Sequence, residues 1–317
     1  MFRFIAALAA FSISIAAHAS CGSAFCTVNN NWSSQGVWTD PGTRLDLRYE
    51  YIRQDQPRHG TGKVGVGEIP QHHDEVFTTN RNWVGALDHN FGANWGVNVS
   101  IPLASREHEH IHNHMGAQIA ESWDFTELGD TRVLGRYQFI PQPHGDAQQD
   151  VWGLNFGVKL ATGRFHERNE EGELAERTLQ PGTGTTDALL GAYFSRSLPL
   201  RNLSWFAQAL YQTALSERED FKPGNRLNLD LGVHYQMGER LGLMLQANFL
   251  QKARDKGDQA EPEDSGGTFL HISPGLSWDV TKDLQVYGFV QLPVYQKVNG
   301  VQLTADYAIS IGVGTRF

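Results

Sequence analysis

Histidine recurs at every second position in His108-Glu109-His110-Ile111-His112-Asn113-His114. In an extended chain alternate side chains share a face, so this stretch presents four imidazoles together. Imidazole suits Zn, Cu and Ni. His108, His110, His112 and His114 are therefore expected to bind divalent metal at least weakly. His72-His73 and His166 fall in neighbouring polar stretches, with Glu109, Glu167, Glu170 and Glu171 as acidic company. The competing reading is a solvated polar loop, and composition alone does not choose between them. No other cofactor is indicated.

His271-Ile272-Ser273 has the His-x-Ser spacing that a lipid hydrolase uses on the wall of a barrel. A nucleophile needs an oriented base and oxyanion donors, and no supporting motif accompanies it. Alternation also turns His271 and Ser273 away from Leu270, Ile272, Leu276 and Trp278. The chain is not expected to be an enzyme. Cys21 and Cys26, an even pair in an exported chain, are expected to form a disulfide. Its small loop would add little stability.

These groups must be positioned by strands. Asp306 to Phe317 alternates strictly, with Tyr307, Ile309, Ile311, Val313, Thr315 and Phe317 on one row. Asp306, Ala308, Ser310, Gly312, Gly314 and Arg316 form the other. Successive strand side chains point to opposite faces, so one face is apolar and the other small or polar. The pattern recurs in about twelve segments of roughly the length a tilted strand needs to cross a bilayer. Leu227 to Tyr235 is the cleanest, with leucines opposite Asn228, Asp230 and His234. In Asp187 to Arg196, Leu189 and Leu190 leave the facing ambiguous. Long polar stretches (Arg53 to Asn80, Ala104 to Gly129, Gly163 to Thr186, Ser216 to Asn225, Lys252 to Gly267) alternate with tight turns such as Phe91 to Trp95. Outer-membrane barrels order their short periplasmic turns and long extracellular loops in this way. The fold class is thus all-β, a transmembrane antiparallel barrel of about twelve strands, with both termini in the periplasm.

The first nineteen residues have the form of a secretory signal. Arg3 supplies the charge, Ile5 to Ile15 the apolar stretch, and Ala17-His18-Ala19 the cleavage site. Residues 20–42 form a polar N-terminal segment able to enter the lumen as a plug, and residues 43–317 form the barrel. The net charge of −9 excludes a general nucleic-acid binder. A mean hydropathy of −0.40 is compatible with a barrel, because alternation averages out while the lipid face stays apolar.

The inward row carries Arg44, Asp46, Arg48, Asp88, Arg136 and Arg316 toward the periplasmic end of the lumen. Lys159, Asp187, Asp230, His271 and Asp306 lie nearer the outer end, and Arg132 also lines the lumen. Pore-lining charges set selectivity, and the same charges can instead pair across the lumen and close it.

Leu160-Ala161-Thr162-Gly163 closes one strand, and Gln180-Pro181-Gly182-Thr183-Gly184-Thr185-Thr186-Asp187 opens the next. With the C-terminal phenylalanine, this pairing resembles a family of proteobacterial outer-membrane barrels labelled transporters or MetA-pathway of phenol degradation. The resemblance covers most of the mature chain and implies passage of small solutes, aromatic ones among the candidates. It carries over no binding residue.

The expected function is a channel passing a small solute passively through a narrow polar lumen. The expected partners are outer-membrane lipid, the solute and the barrel-assembly machinery, the last through the C-terminal strand. The alternatives are a metal-gathering surface protein built on the histidine stretch and a closed structural or partner-binding barrel.

Overall fold

Large apolar side chains at every second position cannot be covered by a chain with so few core residues between them. They are satisfied only if the sheet closes on itself and turns them outward. The computed structural model has that form. It describes residues 24, 26–33, 35–36, 38–69, 74–114, 117–142 and 148–317, except for the side chains of 113 and 114. The expected signal segment and Cys21 lie outside the described residues, as do His72, His73 and the His114 side chain.

Fourteen strands follow in order: β1 (Gly42–His59), β2 (Gly62–Lys63), β3 (Asp74–Asn90), β4 (Trp95–His114), β5 (Ala117–Leu128), β6 (Arg132–Phe139) and β7 (Gln149–Lys159). They continue with β8 (Asp187–Leu198), β9 (Leu203–Ala214), β10 (Arg226–Met237), β11 (Leu241–Lys252), β12 (Gly267–Asp279), β13 (Leu284–Val298) and β14 (Val301–Arg316). Twelve of them form an antiparallel ring that closes by pairing β14 with β1, from Arg44 opposite Arg316 to His59 opposite Val301. Closure leaves none of these twelve strands as a sheet edge within the ring. The two additional strands are the short β2, folded back on β1, and β5, which pairs the far half of β4.

Burial is inverted relative to a water-soluble sheet. Leu45, Leu47, Trp83, Leu87, Leu154, Leu190, Leu229, Leu231, Leu245, Leu276 and Ile311 are exposed on the outer wall. Glu50, Asn82, Asn155, Asn248 and Ser273 are fully buried inside. Trp95 meets Tyr137 at 4.8 Å between ring centres, and Phe194 sits between Trp152 and Trp205. These aromatics, with Phe91, Phe139, Tyr235, Trp278 and Phe317, ring the end of the barrel where β1 begins and β14 ends. Amphipathic rings favour a membrane–water interface.

Three expectations change. The stretches 53–80 and 104–129, read as loops, are largely strand: β1, β3 and the β4–β5 hairpin extend past the apolar band. There the outer face becomes charged, with Arg53 on Asp55 and Arg81 on Glu107, so the outward apolar signal used to find strands disappears. Leu189 is buried and Leu190 exposed, which settles the facing of β8. Asp306, expected inward, ion-pairs with Lys63 on the exposed surface at 3.0 Å. Between the pairs Ile52–Ala308 and Gln54–Ala305, β14 carries one residue more than β1, a bulge that turns Asp306 and Tyr307 outward together.

Candidate functional site

The lumen is the concave, polar space of this fold, and the described residues between 24 and 38 run through it. Near the terminal end, Trp32 is 3% exposed. Its ring meets Tyr287 edge-on at 5.0 Å and lies 5.1 Å from the Arg44 guanidinium. Val28, Met244, Tyr287 and Phe289 complete its apolar seat. Tyr287 donates its hydroxyl hydrogen to Asp46 (2.7 Å), and Arg44 donates to Gln285 (3.3 Å). Ser33 donates to Asp88 (3.2 Å), which also receives two hydrogen bonds from Arg136 at 2.9 and 3.2 Å. Arg136 also donates to Asn90. At the mouth, the Arg316 guanidinium sits 6.0 Å from the Trp38 ring.

Mid-lumen side chains take up the backbone of the same segment. Ala24 N–H donates to Asn80, Cys26 N–H to Glu50 and Asn29 N–H to Gln246, at 3.1, 3.2 and 2.9 Å. Asn29 Nδ2 donates to Asp230 (3.4 Å), and Arg48 to the other oxygen of Glu50 (2.8 Å). Unpaired polar backbone inside a barrel would be costly, so these contacts explain how the segment is held. Cys26 carries a free thiol. Thr27 contacts His271 Nδ1 at 3.4 Å, whereas Ser273 donates to Asn248 at 2.8 Å. His271 and Ser273 therefore face the lumen and serve different partners.

Toward the long-loop end, the two glycine-rich motifs of the sequence meet at Asp130. Its carboxylate accepts from Lys159 Nζ (2.7 Å), Gly163 N–H (3.0 Å) and Thr183 N–H (2.9 Å). Lys159 donates further to Thr183 and Thr185 and lies 3.4 Å from Asp187. A Cβ at Gly182 would stand 2.7 Å from the Gly163 backbone, so both glycines are required for this crossing. Asp130 was missed in the sequence because it lies between β5 and β6, where no alternation marks it. Its signal was the Gly129-Asp130-Thr131 turn ahead of an alternating strand.

A cavity of about 490 Å³ lies between the segment 24–38 and this knot. It is lined by Arg44, Asp46, Arg48, Asp88, Arg132, Lys159, Asp230 and His271 among the expected lumen residues, and also by Asp130, Asp187, Gln212 and Arg226. Arg136 serves Asp88 beneath it, and Arg316 stands at the mouth. Arg132 donates to Gln212 at 3.2 Å, and Gln212 pairs across the sheet with Arg226.

The long connection between β7 and β8 folds across the loop end. Ala175 and Leu179 pack with Trp123, Phe125 and Leu303, and Trp123 Nε1 donates to the Glu173 carbonyl at 3.1 Å. Arg177 lies 4.7 and 5.0 Å from the Phe165 and Phe221 rings. Burial lowers its pKa, partly offset by the Glu219 carboxylate. In the connection between β11 and β12, burial and the nearby Glu176 hold the Glu261 carboxyl far above the usual carboxylate range.

The histidine stretch is strand. His108 and His110 are buried on the inner face of β4, at 1% and 3% exposure, while His112 is half-buried. The ring nitrogens His108 Nε2 and His110 Nδ1 are 3.3 Å apart. His110 Nε2 lies 2.9 Å from Glu121, and His112 Nδ1 lies 3.5 Å from the same carboxylate. The structure adds Glu75, whose Oε2 is 3.7 Å from His108 Nε2.

A family model described as Putative MetA-pathway of phenol degradation matches residues 54–311. No curated protein sequence matches the chain. Among solved structures, an outer membrane channel from Pseudomonas putida F1 superposes with a TM-score of 0.66 at 12% identity, covering 88% of this chain and 97% of that one. The NanC porin matches at a TM-score of 0.46 and 11% identity, covering 86% of this chain and 100% of that one. The likeness at 0.66 extends to the fold, a closed outer-membrane-type barrel, and the family match covers most of the strands. The chain belongs to the Putative MetA-pathway of phenol degradation family of outer-membrane β-barrels.

Proposed function

We propose that this barrel is an outer-membrane channel that passes a small solute passively, with its termini in the periplasm and its long loops outside. The observation that carries this reading is the charged cavity of about 490 Å³ along the barrel axis, within the range of small-molecule sites. The family description and the outer membrane channel of similar fold support a transport role. The family description favours a phenol-like or other aromatic solute.

The charges favour an anionic form of that solute. Arg44, Arg48, Arg136 and Lys159 each face a carboxylate within 4.0 Å. Arg132 and Arg226 have no such ion pair among the described residues, and Gln212 lies between them. Two neighbouring guanidinium groups in a low-dielectric lumen attract a carboxylate or phenolate. Passage requires the N-terminal segment to shift, because Ala24, Cys26 and Asn29 are hydrogen-bonded to the wall inside the lumen.

The test is planar-bilayer conductance of the purified, folded barrel. Discrete openings with an anion-biased reversal potential support the proposal, and the bias should fall in R132Q and R226Q. Silence, in the full chain and in a chain beginning at residue 39, counts against it. That outcome favours a closed structural barrel, the reading that the hydrogen bonds between residues 24–38 and the wall support.

A further inference from the structure

We propose that Glu75, His108 and His110 form a binding site for one divalent transition-metal ion at the long-loop end of the barrel. All three residues are buried, and one donor atom of each lies within 4.8 Å of the others. None of the three lines the cavity of about 490 Å³.

The sheet register builds it. Thr78 stands opposite His108 and Glu75 opposite His110 across β3–β4, while Trp123 and Glu121 stand opposite the same histidines across β4–β5. A bulge between Glu75 and Phe77 breaks the alternation of β3. Without it Glu75 would project to the outer face with Phe77. With it the carboxylate points inward at the imidazoles. Bulges that re-aim one side chain are enriched beside functional sites.

Second partners orient both rings. His108 Nδ1 lies 2.9 Å from the Thr78 hydroxyl, and the Phe77 backbone hydrogen-bonds the same ring. His110 Nε2 lies 2.9 Å from the Glu121 carboxylate. When these outer nitrogens carry the ring hydrogens, His108 Nε2 and His110 Nδ1 both turn lone pairs toward one point. A carboxylate on the far nitrogen of a ligating histidine is the usual support of a zinc-bound imidazole. Two nitrogens bound tetrahedrally at zinc distances are about 3.3–3.4 Å apart, and here they are 3.3 Å apart. Glu75 Oε2 is 3.7 Å from His108 Nε2, and the three donor atoms lie within 4.8 Å of one another, so the carboxylate draws inward when the ion binds. Two histidines and a carboxylate leave a further coordination position for water.

The site differs from a surface chelate of alternating histidines. It uses the inner pair, His108 and His110, and a carboxylate from another strand. Half-exposed His112 stands outside the trio and contacts Glu121.

The experiment is calorimetric titration of Zn²⁺ into the full chain folded in detergent, repeated with Co²⁺, whose visible absorption reports coordination. The expected result is one saturable Zn²⁺ per chain and a Co²⁺ spectrum of a four-coordinate nitrogen–oxygen site. Affinity should fall by at least about tenfold in E75Q and H110A and stay within about threefold in H112A. E75Q preserves shape and charges no new group, so it decides the matter if H110A fails to fold. Absence of stoichiometric binding by the folded chain would overturn the proposal. So would unchanged affinity in E75Q, or loss confined to H112A.

Discussion

Replacing Trp32 by alanine should release the segment that fills the lumen while leaving the barrel intact. Trp32 is a buried apolar anchor of this segment, seated against Val28, Met244, Tyr287 and Phe289 and close to Arg44. Truncating a buried tryptophan to alanine costs about 3–5 kcal/mol, which already includes its edge-on ring contact and its cation–π contact. At about 1.4 kcal/mol per factor of ten, the undocked population should rise by about two to three and a half orders of magnitude. The barrel wall should not feel the change, because Trp32 belongs to no strand and the β14–β1 closure does not involve it. The assay pairs single-channel conductance of W32A with electrophoretic heat-modifiability, which reports the folded barrel. The expected outcome is a large gain in open time in a barrel that still shifts on heating. A protease that clips the segment in W32A without any gain in conductance would show that the segment is not the obstruction. A segment that stays protected in W32A would show that Trp32 does not anchor it.

Other outcomes follow from the same packing. Arg136→Ala should lower stability by about 3–5 kcal/mol in urea unfolding, because it strands the buried Asp88 carboxylate; the double variant D88N/R136M should recover much of that loss. Leu231→Arg, near the middle of β10 on the outer wall, should cost about 2–4 kcal/mol in folding into lipid vesicles. Asp230→Asn, one residue away but facing the lumen, should cost far less. Gly182→Ala forces a Cβ against the Gly163 backbone and should destabilise the β7–β8 connection, read as faster hydrogen exchange at Thr183 and Thr185. Glu261 has a folded pKa raised by burial and by Glu176, above its unfolded value near 4.5. Its contribution is therefore complete below about pH 4.5 and is lost as pH rises toward the raised value. Protease protection of residues 253–266 should weaken from pH 5 to pH 10 in the wild type and stay level in E261Q.

Much of this architecture is written in period-two alternation. Leu229, Leu231 and Val233 against Asp230 and His234 give the outward and inward faces of β10 directly, and Arg44, Asp46 and Asp88 lie inside as the pattern requires. Alternation is legible because a bilayer imposes one condition, apolarity, on every second residue. Beyond the apolar band that condition lapses. Arg53 to His59 and Ser105 to His114 are strand with charged outer faces, and they look like loop. Bulges are invisible for a related reason. One extra residue inverts every facing after it, so Asp306 turned outward and Glu75 turned inward, and neither could be placed without the register. The histidine repeat pointed to imidazoles sharing a face, yet the carboxylate that stands beside them, Glu75, lies more than thirty residues earlier on a neighbouring strand. The lumen contacts of Trp32 and Asn29 were open to sequence only as polarity suited to a plug, since nothing local in a loop specifies which wall residues it meets.

The account rests on the outer wall facing hydrocarbon and the inner wall facing a polar, protein-filled lumen. The most direct measurement places a fluorophore in turn at residues 228 to 233 of β10, on a background with Cys21 and Cys26 replaced by serine, and records quenching by brominated lipid and by a water-soluble quencher. Strong lipid quenching at 229, 231 and 233, with little at 228, 230 and 232, is predicted. Uniform quenching along the strand, or lipid quenching at the even positions, would contradict the account.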